Sequence, residues 1–273
     1  MASLETNLNQ SPYFDDYSEE KNFHRILFRP GYAVQARELT QIQSILQNQI
    51  ERFGDEFLDN GTIINGCSVD PEKWSFVKLK DRNPTTENPI LLGSFFDNDA
   101  VIENATVTGA TTGVTARLLY AVEGSESAAP DYLTIFVSYT NSGTDQETKT
   151  FADDETLTIT RNSDSVVLVT AKSISASSTG TGLGVSSSEG IVYHKGNFIR
   201  SREQVGVVSK YTTEPTIRIG FETIETIVDS NQDSSLLDNA TGATNFTAPG
   251  ASRLKIDTKI ATRTLTSANT EDF

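Results

Sequence analysis

Phe23-His24-Arg25-Ile26-Leu27-Phe28-Arg29-Pro30-Gly31-Tyr32-Ala33-Val34-Gln35-Ala36-Arg37-Glu38-Leu39, continuing to Phe57, is the stretch on which the fold of this 273-residue chain turns. A short apolar run ends at a Pro-Gly break, and from there to Gly54 no further Gly or Pro occurs. Within that span Leu39, Ile42, Ile45, Leu46, Ile50 and Phe53 recur at steps of three and four, the period of a helix with one apolar stripe. The spacing predicts a single amphipathic helix over 34–54, about 30 Å long. Glu38 in its first turn and Arg52 in its last suit the helix dipole, and Gly54 reads as a left-handed stop. Its polar face carries Gln41, Gln43, Gln47 and Gln49 and few charges, which marks a surface that also meets protein. Two partners fit such a helix: its own copies, or one face of the chain's own β-structure.

Upstream, residues 1–33 lack periodicity and read as an extended arm. Its string Tyr13-Phe14-Asp15-Asp16-Tyr17 places three aromatics where a solvated tail would have few, so Tyr13, Phe14 and Tyr17 are candidate docking residues, against a neighbour or against the arm's own domain. Downstream the pattern turns to short strands: Thr62-Ile63-Ile64, Trp74 to Leu79, and Ile90 to Phe96, separated by Asn-Gly and Asp-Asn-Gly turns. Residues 105–186 read as a separate small β domain, with a hairpin at 106–116, strands at 132–139, 156–160 and 165–170, and a closing Ser/Thr/Gly loop at 173–188. Strands resume at 190–200 and 216–223, where Ile217, Ile219 and Phe221 alternate with Arg218 and Glu222. The domain so divided has 55–104 plus 187–262 as one discontinuous β domain, 105–186 inserted into it, and 263–273 as a tail or the start of a continuing fibre. The expected class is mainly β with one N-terminal amphipathic helix, the strands grouped in small barrel or sandwich modules.

Composition narrows the function. With 22 Lys+Arg against 37 Asp+Glu the formal charge is -15, a field that repels phosphate backbones and anionic membranes. Nucleic acid and membrane insertion are therefore not expected. Hydrophobic residues make up only 36% of the chain and the mean hydropathy is -0.33, which means thin cores, as in small β modules or in a subunit that completes its core at an interface. One cysteine, Cys67, excludes an intrachain disulfide, and His24 and His194 lie too far apart in sequence to imply a metal cluster. No cofactor is expected.

No pattern selects a catalytic set. Gly180-Thr181-Gly182-Leu183-Gly184 resembles a phosphate loop only superficially, since no helix and no Lys-Ser/Thr pair follows, and it reads as a flexible loop. Carboxylates cluster at Asp15-Asp16, at Asp153-Asp154-Glu155 and at Glu222 with Glu225, but nothing singles out a glycosidase pair. Neither histidine lies near a nucleophile-elbow pattern. The insert has few aromatics with which to grip sugar: Tyr120, Tyr132, Phe136, Tyr139 and Phe151.

The segment from Asn9-Gln10-Ser11-Pro12-Tyr13-Phe14 to Gln49-Ile50 resembles the opening of a family of tailed-bacteriophage tail-fibre or baseplate-associated virion proteins that carry a domain of unknown function. The run from Ser234-Ser235-Leu236-Leu237-Asp238 to Lys255-Ile256-Asp257 is similar to a second hallmark of that family. The resemblance implies a non-enzymatic virion subunit that forms a homotrimer, assembles in host cytoplasm and fixes fibre material to other tail or baseplate proteins for host attachment. Leu39, Ile42, Leu46, Ile50 and Phe53 would carry the trimer contact. Members usually run on further, so the chain reads as the proximal part of a longer fibre or as a short variant, with contact to host surface glycan left to a distal part. The alternative is a glycan-binding or glycan-cleaving module acting on host surface polysaccharide.

Overall fold

The computed structural model describes residues 6–97, 100–101, 105–124 and 131–265. Helix α1 (Ala36–Asp55) precedes strands β1 (Thr62–Gly66), β2 (Val69–Leu79), β3 (Phe96–Asp97), β4 (Ala100–Val101), β5 (Ala105–Gly109), β6 (Thr115–Val122), β7 (Leu133–Asn141) and β8 (Thr156–Arg161). Then come β9 (Val167–Lys172), β10 (Thr179–Ser187), β11 (Gly190–His194), β12 (Asn197–Ser201), β13 (Gln204–Ser209), β14 (Ile217–Val228) and β15 (Arg253–Thr264). The chain is mainly β, with a single α-helix among the described residues, as the two periodicities predict.

Eight strands form one antiparallel sheet in the order β13-β10-β2-β7-β6-β5-β8-β9. From β2 to β9 the sheet curls around a core that includes Val77, Leu79, Val107, Val137, Leu157 and Ala171. The curl returns the end of β9 to β2, where Leu79 and Ser173 form one isolated bridge and the Lys80 amide donates to the Lys172 carbonyl at 2.8 Å. The expected barrel does not close. The edge of β2 that β9 would need is already paired with β10 from Val69 to Val77.

That pairing corrects two further expectations. Residues 105–186 do not fold apart from their flanks, because β2 lies between β10 and β7 and its Val77 and Leu79 share the core of Val107 and Leu157. Without β2 the edge of β7 would be bare. The Ser/Thr/Gly tract is not a loop: its second half is the inner strand β10. Gly180, Gly182 and Gly184 alternate along one face of it; Phe76 and Trp74 fill the space beside Gly180 and Gly184, and the Lys210 and Ser209 carbonyls, with the Phe136 ring next to them, fill that beside Gly182. The rings pack edge to face, with Trp74 and Phe136 6.1 Å apart and Phe76 and Phe136 6.5 Å apart.

Ile90 to Phe96, expected as a strand, turns as a 3-10 helix at Leu92–Phe95. The i, i+3 spacing sends Leu92 and Phe95 to the same core, which strand alternation would not allow.

A second antiparallel sheet, β1-β11-β12, carries α1. Strands β14 and β15 pair in register from Ile217 with Thr264 to Val228 with Arg253. A lone ribbon is marginal in water. This one is tied to the body by Gln204, whose side-chain amide donates to the Thr258 carbonyl at 2.9 Å and accepts from the Ile260 amide at 2.9 Å. The segment between these strands, part of the second hallmark, winds around Asp238, whose carboxylate accepts from Asn245 and from the Ala240 amide. The expected tail 263–273 begins as the end of β15, and 266–273 lies outside the described residues.

Candidate assembly surface

Helix α1 begins with a reciprocal cap: the Gln35 amide donates to Glu38 Oε2 at 2.8 Å, and the Glu38 amide donates to the Gln35 carbonyl at 3.0 Å. Glu38 thus does more than complement the dipole. At the other end Gly54 is not a left-handed stop but a helical residue of the last turn, where the ring of Tyr193 occupies the place of a side chain. The Tyr193 hydroxyl donates to Asp55 at 2.7 Å, and Gln47 Nε2 donates to the Gly196 carbonyl at 2.7 Å. These contacts seat one face of the helix on β11 and β12.

The arm covers the adjoining face through its acids. Asp15 accepts from Ser44, Asp16 accepts from Gln41 at 2.5 Å and pairs with Arg37 at 3.3 Å, and Glu19 accepts from Arg52 Nε at 2.9 Å. Tyr13 and Tyr17 are half-buried, while Phe14 is exposed. Burial, and then the charge of Glu19, raise the Tyr17 hydroxyl above its ordinary range. Between sheet and arm, Ile45 is only 4% exposed.

The remaining face carries the residues expected to make the trimer contact. Leu39, Leu46, Ile50 and Phe53 are each between 45% and 66% exposed, and Ile42 lies half-buried at their margin. Phe57 extends the row past the helix end, its ring 5.0 Å from that of Phe53. The sequence reading missed it because Gly54 was taken as the stop, although Phe57 keeps the four-residue step from Phe53. Leu39 and Ile50, Ile42 and Phe53, and Leu46 and Phe57 each lie eleven residues apart. A row with that period runs nearly straight along a helix, with a slight right-handed drift. Ile191 and Phe198 are exposed on the sheet face that Tyr193 presents to the helix, with Phe198 5.2 Å from Tyr193.

Acid collects at the C-terminal end of α1, where Glu51, Asp55, Glu56 and Asp59 face the negative pole of the helix dipole. Burial, and then Asp55 and Glu19, raise the Glu51 carboxyl above the usual carboxylate range.

The carboxylates considered for catalysis each hold part of the fold. Asp153 accepts from the amides of Ser177 and Ser178, and Asp154 bridges Lys80 and Lys172, which hold its carboxyl down at about 2. Glu155, 2% exposed, accepts from the amides of Thr111, Thr112 and Ala152. Glu225 accepts from the Thr6 amide at 2.8 Å, and Glu222 lies 3.8 Å from Arg263. Phe136 and Phe151 are buried, and Tyr120, Tyr132 and Tyr139 are half-buried. Burial raises the thiol of Cys67 above its ordinary range.

Among the described residues no three His, Cys, Asp or Glu are placed to share a metal ion, and no helix is long and apolar enough to cross a membrane. An open cleft of about 1710 Å³ separates the eight-stranded sheet from the ribbon; its walls mix Lys73, Arg117, Lys259 and Arg263 with Glu203 and Glu222.

A family model described as a domain of unknown function, DUF4815, matches residues 11–81. The match spans most of the arm, α1, β1 and β2, while β11 and β12, on which α1 sits, lie outside it. No curated protein and no solved structure matches the chain.

Proposed function

We propose that this chain is a structural subunit of a phage virion, a proximal tail-fibre or baseplate component that trimerises through α1 and anchors fibre material to the tail for host attachment. The observation that carries the reading is the exposed row Leu39, Leu46, Ile50, Phe53 and Phe57 on a helix whose other faces are already covered by its own sheet and arm. A monomer has no use for such a row, and a parallel bundle of copies buries it. The resemblance of 9–50 and 234–257 to tail-fibre and baseplate-associated proteins supports the virion setting, and the DUF4815 match spans most of the arm, the helix and the first strands.

Each of these half-exposed side chains gains about 1–2 kcal/mol on burial. The row therefore contributes on the order of 5–10 kcal/mol per chain, against an association cost of about 4–15 kcal/mol. Self-association on the row alone is marginal, so further contacts between copies are required.

Sedimentation of the purified chain tests the reading. Three chains of 29.8 kDa each are expected in the particle, and Leu46→Glu is expected to return it to single chains with an unchanged circular dichroism spectrum. A wild-type chain that stays single at micromolar concentration would refute the proposal.

A further inference from the structure

The arm is a unit of its own. Among the described residues its backbone bonds close within it: the Tyr13 and Phe14 amides donate to the Gln10 carbonyl at 2.9 Å, the Asp15 amide to Leu8 at 3.1 Å and the Asn22 amide to Glu19 at 3.0 Å. The bonds that hold it to the body run through side chains: Asp15 with Ser44, Asp16 with Gln41 and Arg37, Glu19 with Arg52, and at its start the Thr6 amide with Glu225. Such a unit docks equally well on any α1 that presents Arg37, Gln41, Ser44 and Arg52, whether its own or that of another copy.

The linker from arm to helix, residues 23–34, is longer than docking on its own helix needs. Phe23 lines a small cleft with Arg37, Gln41 and Ile45. Gln41 stands only about 9 Å along the axis from Gln35, which caps the helix. The chain from Phe23 to Gln35 reaches about 40 Å when extended. No strand forms in the linker, and its one backbone bond among the described residues is Tyr32 N–H to the Arg29 carbonyl at 3.3 Å. Folded back on its own helix, it leaves Phe23, Leu27, Phe28, Tyr32 and Val34 each between 50% and 75% exposed. Packed helices stand about 8–10 Å apart, so the step from one helix to the arm site of the next is within the linker's reach.

We propose that the arms are exchanged in the assembled particle: the arm of one copy lies on α1 of the next, and the 23–34 linker crosses the groove between the two helices. The arm makes the same contacts in both arrangements, so the linker decides between them. Drawn across the groove, it passes beside Ile42 at the margin of the neighbour's row and covers apolar side chains that the folded-back linker leaves in water. The exchange rests on the self-association reading and supplies the further contact between copies that this reading requires. It makes each helix incomplete without the arm of another chain.

Disulfide trapping on full-length chains tests the exchange. Ser44 donates directly to Asp15 and both side chains are short, so cysteines in their places meet, while Cys67 is buried and takes no part. Asp15→Cys chains and Ser44→Cys chains, mixed, assembled and mildly oxidised, are expected to become linked to each other. The double variant is expected to give three linked chains when oxidised in the assembled state and single chains with an internal disulfide when oxidised dilute. Sedimentation under reducing conditions checks that the variants assemble, and Asp16→Cys with Gln41→Cys gives a second pair where the first does not. Assembled chains that link only within themselves, or unlike chains that stay unlinked, overturn the exchange and leave the helix bundle standing. A wild-type chain that never assembles overturns both.

Discussion

The ring of Tyr193 on β11 fills the space beside Gly54 of α1 that a methyl group would need. This contact sets how closely the helix lies on its sheet and thereby which face remains outward. Gly54→Ala is expected to lift the end of the helix and cost about 1–3 kcal/mol. Urea unfolding at low protein concentration measures it, and an unchanged midpoint would show that the contact does not set the helix position.

The same tyrosine makes stability depend on alkali. Burial first, and then the hydrogen bond to Asp55 and the charges of Asp55 and Glu51, push its hydroxyl up to about 12. An unfolded tyrosine ionises near 10, so between about pH 10 and 12 the unfolded chain releases a proton that the folded chain keeps, and stability falls as pH rises, by at most about 1.4 kcal/mol per unit. The stability advantage of wild type over Tyr193→Phe is therefore expected to be full at pH 8 and to shrink by pH 11. A gap that holds or widens would contradict this assignment.

Glu155 is a buried carboxylate whose partners are backbone amides at 2.6–2.8 Å and the Thr112 hydroxyl at 2.9 Å. Glu155→Gln replaces one accepting oxygen with a donor facing donors. The expected loss is about 2–4 kcal/mol, with faster amide exchange at Thr111, Thr112 and Ala152.

Neighbouring positions on α1 are expected to behave oppositely. Ile45→Ala removes a side chain buried against the chain itself and is expected to cost about 2–4 kcal/mol in the single chain. Leu46→Ala should change single-chain stability by less than about 0.5 kcal/mol while weakening assembly. Thermal melts at dilute concentration, paired with sedimentation at high concentration, separate the two effects.

The only tryptophan, Trp74, lies against Gly184, so its fluorescence reports on that contact. Gly184→Val is expected to displace the ring, shift emission to longer wavelength and cost about 3 kcal/mol. Unshifted emission in a stable variant would mean that the ring has another place to go.

Much of the candidate surface was legible because a helix writes its faces into local spacing: Leu39, Leu46, Ile50 and Phe53 share a stripe whatever the rest of the chain does. The loop at 23–34 was legible as an apolar run before a Pro-Gly break, but its exposure was not, since nothing local says whether Phe23 or Leu27 finds cover.

Periodicity alone determined the helix, the stripe, the alternating strands and the absence of a second long helix among the described residues. Tertiary structure decided the rest. A tract such as Gly180-Thr181-Gly182-Leu183-Gly184 carries almost no hydrophobic pattern, and it becomes an inner strand only because Trp74, Phe76 and Phe136 bring the missing side-chain volume from strands far off in sequence. Gly54 likewise gains its role from Tyr193, and β2 joins the core of 105–186 by pairing with β7. A residue without a side chain acquires its environment from its neighbours in space, and those neighbours are set by the fold.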